Sequence, residues 1–331
     1  MAYTVWGSFD YFRSNYVDLG SKNTQTARSS RDYLQGQIKT LDGTYPGFPK
    51  LLGTFMGFGS FARRTKILPL DDIDFFVIIK SSNTTESLRP EGHVWLYIED
   101  TSSPLYQYRD DFGYVNSTKI LHKIRDGLST VSIYGKADLK KNMQAVTLKL
   151  SSYSWNFDIV PAVEVHNLSG KITHYLIPSG HGEWIRTDPR RDAEFVTTVN
   201  KSHSSLFLPT MRLLKYWNKR VHKPTLSSYY FETLVLNIFQ YASSITSYQS
   251  AIKYFFDNLS TRLLFPCPDP KGLGSNLDET VSLETKMKIN SAAIDDANNA
   301  RLAMYHEGQN NHQEAISYWQ KIFGLEFPAY G

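Results

Sequence analysis

The order of apolar and polar residues indicates an α+β first half in this chain. Apolar residues recur at helical spacing over residues 26–41 and again over residues 119–128, which predicts two helices. Residues 73–79 form an unbroken β-branched and aromatic run, which is typical of a buried strand. Residues 144–150 and 153–160 alternate between apolar and polar side chains, as paired strands do. We therefore expect a mixed sheet with helices.

The second half of the chain has the pattern of a helical domain. Helical periodicity recurs in residues 209–219, 229–241, 283–305 and 311–323. The change in character falls near the turn-rich residues 177–182. We predict two domains: an α+β core with an N-terminal helix over residues 1–170, and a mainly helical lobe over residues 171–331 that closes the active-site cleft. Two-lobed chains commonly bind small ligands in such a cleft.

The composition of the chain excludes several kinds of protein and of site. The 331 residues are 41% hydrophobic and 14% aromatic, which is typical of a folded protein. The single cysteine, Cys267, excludes an internal disulfide and a zinc site built from cysteines, and it fits a reducing compartment. No apolar run approaches the ~18 residues of a membrane-spanning helix, and the first residues lack the pattern of a signal peptide. We therefore expect a soluble, cytoplasmic protein without a membrane partner.

The charge of the chain favours a small anionic ligand over a long one. Its formal net charge is only +4. Proteins that bind long nucleic acid usually carry a stronger basic patch, so long nucleic acid is not a required partner. A nucleoside triphosphate is the better-matched partner.

The strongest chemical signal is a pair of aspartates at the start of the predicted strand. Asp72 and Asp74 are two residues apart, so their side chains share one face of the strand. Two neighbouring carboxylates repel each other in a low-dielectric environment, and a bound divalent cation relieves that repulsion. Oxygen ligands suit a hard ion such as Mg²⁺ or Mn²⁺.

Residues on either side of this pair extend the predicted site. Gly59 and Ser60 precede Asp72 closely, and a glycine turn before a helix, with a serine hydroxyl and exposed N–H groups, suits a triphosphate. Asp158 points away from the apolar face of its own predicted strand, so it is available as a third carboxylate. Three such acids predict a two-metal site that activates an attacking hydroxyl and stabilises departing pyrophosphate.

Two segments of the helical half are further candidates for ligand binding. Arg212, Lys215 and Lys219 share one face of a predicted helix, which either reaches a phosphate or is a solvated basic surface. Residues 227–234 begin with two serines followed by aromatic residues. This arrangement suits a phosphate and a stacked base at a helix start, or a plain N-cap followed by core aromatics.

With Gly59, Ser60, Asp72, Asp74 and Asp158 in this order, the chain resembles the polymerase β-like nucleotidyltransferases. It is more closely similar to the bacterial CD-NTases, the cyclic oligonucleotide synthases related to animal cyclic GMP-AMP synthase. Short fragments across nearly the whole chain follow the order of that family: residues 59–65, 69–74 and 157–162, Trp184 with residues 187–189, and residues 214–218, 228–232 and 319–324.

This resemblance implies a fold and an activity. The fold is a two-lobed polymerase β-like core with a C-terminal helical lobe. The activity joins nucleoside triphosphates (ATP, GTP, CTP or UTP) into a cyclic di- or trinucleotide second messenger and releases pyrophosphate. In this family such products serve anti-phage (CBASS) signalling by switching on a separate effector, and an activating protein partner is a further expectation.

The resemblance also implies a role for each site residue. It implies that Gly59 and Ser60 bind the donor triphosphate. It implies that the catalytic Asp72, Asp74 and Asp158 bind two Mg²⁺ or Mn²⁺ ions. In the helical half, it implies that Lys215 and Ser228 contact phosphates and that Tyr229 stacks on a base. Base stacking tolerates several bases, so these residues leave the substrate base open.

Two other functions fit parts of the same pattern. A linear nucleotidyltransferase would use the same acids to add a nucleotide to an RNA, protein or small-molecule hydroxyl, and it would need a basic track such as residues 63–66 with Lys136, Lys140 and Lys141. A catalytically inactive sensor of the same fold is disfavoured because it has no physical need to retain three mutually repelling carboxylates.

Overall fold

The computed structural model describes residues 2–203, 205–220 and 223–331, and these form two compact units. The sheet unit consists of Ser21–Arg63 and Leu70–Arg190. The helical unit consists of residues 2–20, Arg64–Pro69 and Arg191–Gly331. The predicted domain boundary at residue 170 stays a prediction. The compact units differ from it because residues 2–20 pack with the C-terminal helices and because residues 171–190, which include two strands, belong to the sheet unit.

The helices are α1 (Val5–Phe12), α2 (Ser21–Thr44), α3 (Gly59–Ala62), α4 (Ser117–Ser129), α5 (Pro189–Ser202), α6 (Phe207–Arg220), α7 (Ser228–Phe239), α8 (Tyr248–Leu264), α9 (Leu283–Gly308) and α10 (His312–Phe323). The strands are β1 (Leu51–Phe58), β2 (Asp72–Ile79), β3 (Thr84–Leu88), β4 (His93–Ile98), β5 (Asp138–Asn142), β6 (Ala145–Lys149), β7 (Asn156–His166), β8 (Ile172–Pro178) and β9 (Trp184–Thr187). Among the described residues, no helix is long and apolar enough to cross a membrane.

The sheet unit is built on one mixed sheet. Its strands run in the order β1-β2-β7-β8-β9-β4-β3, and the β5-β6 hairpin joins β7 through β6. Strands β2 and β7 are parallel, whereas β1 pairs with β2 and β6 pairs with β7 in antiparallel register. The predicted pairing of the two alternating segments is confirmed by β6 and β7.

The two central strands are buried along most of their length. In β2 the five residues after Asp74 are all buried, because apolar side chains occupy both faces of the sheet there. Asp72, Asp74 and Asp158 lie within the first three positions of β2 or β7, where their side chains are half-buried. This distribution brings the three acidic side chains together at the beginning of two largely apolar strands.

An aromatic core holds the helical unit together. Phe9 of α1 packs edge-on against Trp319 and Phe323 of α10, with ring centroids 5.0 and 6.0 Å apart. Trp217 of α6 packs against Phe256 of α8 at 5.0 Å. Sequence periodicity located α6, α7, α9 and α10 but not α1, α5 or α8.

Candidate active site

The three predicted acidic residues come together at one edge of the sheet. Strands β2 and β7 are in parallel register, which places Asp74 directly beside Asp158. Asp72 lies two residues before Asp74 on the same face of β2. One carboxylate oxygen from each of the three residues lies within 4.8 Å of the others. Their side chains are half-buried, so they are accessible to a ligand.

These residues fit a divalent cation. Three carboxylates at this separation repel one another, and the repulsion grows as water is excluded. A hard cation with oxygen ligands is the partner that offsets it. The cluster therefore can hold a metal ion, and the donor atoms are the type that Mg²⁺ and Mn²⁺ prefer.

Gly59 fits closely against one of these acids. It follows Phe58, which pairs with Asp74 across β1 and β2, and it has a positive φ of 69°. A Cβ atom at this position would lie 2.9 Å from Cγ of Asp74 and closer still to Oδ2. Only glycine combines this backbone conformation with the approach of the carboxylate. Ser60 follows in the first turn of the short helix α3.

A threonine that the sequence analysis did not identify contacts the third acid. Thr147 lies on β6 directly opposite Asp158 on β7, and its Oγ1 donates a hydrogen bond to Oδ1 of Asp158 over 2.6 Å. Hydrogen bonds to a carboxylate are stronger than neutral ones. The sequence did contain a signal for this contact. Thr147 is a polar residue between the buried Val146 and Leu148, on a strand that was predicted to pair with the strand of Asp158.

Lys215 lies in a buried ion pair of the helical unit. Its Nζ donates to Oε1 of Glu232 on α7 over 2.5 Å, and Oε2 of Glu232 accepts from Oγ1 of Thr65 over 2.9 Å. The neighbouring Arg212 pairs with Asp18 at 2.7 Å. This face of α6 therefore carries specific ion pairs at Arg212 and Lys215 in place of a solvated basic surface, and phosphate binding by Lys215 stays a prediction.

Ser228 and Tyr229 begin α7. Ser228 is exposed, and Ser227, the N-cap residue, makes no capping hydrogen bond through its side chain. The Tyr229 hydroxyl lies 2.8 Å from Oδ1 of Asp192 and 2.9 Å from Oδ1 of Asp269. Burial first, and then the charge of Asp192, raise the pKa of Tyr229, so the phenol stays protonated at neutral pH. The roles predicted for Ser228 and Tyr229 stay predictions.

Two of the basic residues proposed for a linear acceptor track, Lys140 and Lys141, have local partners. Lys140 pairs with Asp138 over 2.7 Å on the same strand. Lys141 donates to the carbonyl oxygen of Gly180 over 2.6 Å. Both contacts lie within the sheet unit, and neither of them supports an RNA-binding track.

Comparison with known proteins gives sequence relatives along the whole chain. A probable cyclic nucleotide synthase of Bacillus cereus (strain VD146) is 38% identical over 333 aligned residues, which cover 100% of this chain and 99% of that protein. The cyclic AMP-AMP-AMP synthase of Escherichia coli (strain MS 115-1) is 21% identical and aligns with 96% of this chain and 95% of its own length. No family model matches the chain.

A solved structure shares the fold. E. coli MS115-1 CdnC with ATP has a TM-score of 0.71 at 19% identity and covers 97% of this chain and 98% of its own. CdnC in a complex with HORMA-deltaN has a TM-score of 0.70 at the same identity and coverage. These likenesses confirm the predicted α+β class with its C-terminal helical region.

Proposed function

The chain belongs to the bacterial CD-NTases, the cyclic nucleotide synthases of polymerase β-like fold, and we propose that it joins nucleoside triphosphates into a cyclic di- or trinucleotide. The observation that carries this proposal is the cluster of Asp72, Asp74 and Asp158 with Gly59 packed against it. A cluster of carboxylates at a half-buried sheet edge suits transfer of a nucleotide from a triphosphate. A catalytically inactive protein of the same fold has no physical need to retain three mutually repelling carboxylates.

The reaction requires a nucleophile, a leaving group and compensation of charge. A ribose hydroxyl attacks the α-phosphorus of a bound triphosphate, a new O–P bond forms, and the bond to pyrophosphate breaks. A divalent cation, when bound, stabilises the charge of the transition state and lowers the pKa of the attacking hydroxyl. Asp72, Asp74 and Asp158 would hold it. Repetition of the transfer and ring closure give the cyclic product.

The metal is proposed to be Mg²⁺ or Mn²⁺, as two ions. Support comes from the donor set, which consists of carboxylate oxygens only. The backbone at Gly59 and Ser60 is proposed to bind the donor triphosphate. Lys215 and Ser228 are proposed to contact its phosphates and Tyr229 to stack on its base. For Lys215 this role would require exchange of its ion pair with Glu232 for a phosphate.

ATP is the substrate that we propose to test first. A relative is named a cyclic AMP-AMP-AMP synthase, and the CdnC structure was solved with ATP. CdnC also forms a complex with HORMA-deltaN, which supports an activating protein partner for this chain. We further propose a cytoplasmic, anti-phage (CBASS) role in which the product acts on a separate effector.

The proposal is tested by incubating the purified protein with α-labelled nucleoside triphosphates and Mg²⁺ or Mn²⁺. Phosphatase treatment then removes substrates and linear products that carry terminal phosphates. We expect a resistant cyclic product that is lost in the Asp72→Asn/Asp74→Asn double variant, and omission of single nucleotides identifies the bases. Full activity in the double variant would refute the metal assignment. Transfer of label to an added RNA or protein, without a resistant product, would favour the linear activity.

A further inference from the structure

The loop that joins α8 to α9 places two charged residues against Tyr229. The first part of this loop, residues 265–274, is rich in proline and glycine and has no role in the proposed chemistry. Oδ1 of Asp269 lies within hydrogen-bond distance of the Tyr229 hydroxyl, at 2.9 Å. Lys271 donates to the same hydroxyl over 2.5 Å. Asp192, from α5, completes the cluster at 2.8 Å from the hydroxyl.

The charges of this cluster compensate one another. Asp192 and Asp269 are only 8% and 9% exposed, and two carboxylates this deeply buried destabilise the fold unless they have partners. The Tyr229 phenol has one proton and satisfies one carboxylate at a time. Lys271 Nζ lies 3.2 Å from Oδ1 of Asp269 and 3.6 Å from Oδ2 of Asp192, so its charge is shared by both acids.

The loop itself is fixed in place. The N–H of Gly272 donates to the Asp269 carbonyl oxygen over 2.8 Å, which closes a turn around Lys271. Arg191 donates to the carbonyl oxygen of Lys271. Cys267 N–H donates to Oδ1 of Asp278 over 2.8 Å. The backbone of Lys271 is therefore held in place, with its side chain at the hydroxyl end of Tyr229.

Lys271 contacts the hydroxyl end of the ring and does not cover a ring face. Its Nζ lies 2.5 Å from the hydroxyl oxygen but 4.0 Å from the ring centroid, and both distances are met only at a point beyond the hydroxyl oxygen. The ring is half-buried, and it adjoins the exposed Ser228. Lys271 therefore fixes the same end of the ring as the two acids.

We propose that Asp192, Asp269 and Lys271 are positioning residues that hold the Tyr229 ring as a stacking platform for a nucleobase. This inference rests on the proposed nucleotide binding and names the residues that prepare it. All three residues fix the hydroxyl end of the ring. The ring is thus oriented before the nucleotide binds, which reduces the entropy lost on stacking.

The experiment measures binding of a fluorescent ATP analogue to the full chain by anisotropy, together with thermal unfolding and with KM and kcat for product formation. Tyr229→Ala should weaken binding about 5- to 100-fold, since stacking on an aromatic ring contributes on this scale. Lys271→Met and Tyr229→Phe each remove hydrogen bonds at the hydroxyl end of the ring, and each should weaken binding about 2- to 5-fold. The loss should appear in KM more than in kcat.

A matched lysine serves as the control. Lys288 on α9 pairs with Glu284 at the surface over 2.6 Å, and Lys288→Met should leave binding unchanged. Tyr229→Leu replaces Tyr229→Ala if that variant does not fold. A cluster with only a structural role would lower the unfolding temperature of the variants and leave their affinity at lower temperature unchanged, which would overturn the proposal.

The outcomes separate this inference from the proposed function. If a cyclic product forms in a manner that requires Asp72 and Asp74 but Tyr229→Ala binds the analogue normally, the platform is wrong and the synthase activity stands. If the analogue binds through Tyr229 and Lys271 but no cyclic product forms under any condition, the platform stands and the proposed product is wrong.

Discussion

Gly59 and Asp74 lie so close together that no Cβ atom fits between them. A side chain at Gly59 would approach within 2.9 Å of Cγ of Asp74, and the φ of 69° at Gly59 disfavours any other residue. The glycine of the Gly-Ser turn therefore has a second use besides turning the backbone. Because glycine has no Cβ atom, the Asp74 carboxylate can occupy the space next to Gly59 and lie beside Asp158.

Replacement of Gly59 by alanine should reduce cyclisation about 100-fold or more, since displacement of a catalytic group by about 1 Å has that effect. Gly57→Ala is the matched control, because a Cβ there meets Ala62 at an ordinary 3.6 Å. Initial rates of product formation and the Mn²⁺-induced shift in unfolding temperature are measured for both. Equal loss of the Mn²⁺ shift in the two variants would contradict the specific contact with Asp74.

Removal of the Thr147 hydroxyl should weaken metal binding. Oγ1 of Thr147 donates to Oδ1 of Asp158 over 2.6 Å, and groups that orient a metal ligand typically contribute 10- to 100-fold in affinity, so we expect a loss of about 10-fold for Thr147→Val. Thr147→Ser keeps the hydroxyl and should recover most of it. Mn²⁺ titration followed by electron paramagnetic resonance measures the affinity directly. Identical affinities in the Val and Ser variants would exclude an orienting role.

The period of two residues along a strand was enough to predict which acids share a face. Asp72 and Asp74 had to point the same way, and the polar side of β7 indicated Asp158. Their convergence also depends on the parallel pairing of β2 with β7, which joins residues more than 80 positions apart and has no local signal in one sequence. The closeness of Gly59 to Asp74 depends on a different register, the antiparallel pairing of β1 with β2 that places Phe58 opposite Asp74.

The partners of Lys215 and Tyr229 could not be predicted from the sequence either, because they are far away along the chain. Helical spacing predicted that Lys215 lies on a helix face, yet the apolar residues around it do not show that Glu232 and Thr65 meet it in the interior. The loop that carries Lys271 has no periodicity, so its contact with Tyr229 appears only in the folded chain. Local patterns predicted the elements, and tertiary packing decided their polar contacts.

Loss of Lys215 should destabilise the protein as well as reduce any nucleotide contact. Lys215→Met leaves the Glu232 carboxylate buried without its ammonium partner, which typically costs about 3–5 kcal/mol. The Lys215→Met/Glu232→Gln double variant should recover a large part of that stability. Urea unfolding of both variants gives the two free energies. If the double variant is folded and stable but its affinity for the ATP analogue is still low, Lys215 also contacts nucleotide; restored affinity would assign it a purely structural role.

Burial of Asp296 in the helical unit should make the free energy of unfolding depend on pH. Asp296 is 6% exposed, and Oδ2 accepts a hydrogen bond from Nε1 of Trp217 over 2.7 Å. Burial raises the pKa of Asp296 to about 6, although the Trp217 hydrogen bond opposes this effect. Burial lowers the pKa of the nearby Lys223 to about 8, so Lys223 stays charged throughout the range in which Asp296 titrates.

Since the pKa of Asp296 is higher in the folded than in the unfolded state, the folded protein binds the proton more tightly. The stability contributed by that proton is complete below about pH 4 and is lost as pH rises through about 6, by about 3 kcal/mol in all. Asp296→Asn keeps an acceptor for Trp217 but cannot ionise, so its stability relative to wild type should increase from pH 4 to pH 7. Urea unfolding across that range measures the difference. Glu326→Gln, at an exposed position of the same unit, should show no such trend, and a parallel trend in both variants would rule out burial of Asp296 as the cause.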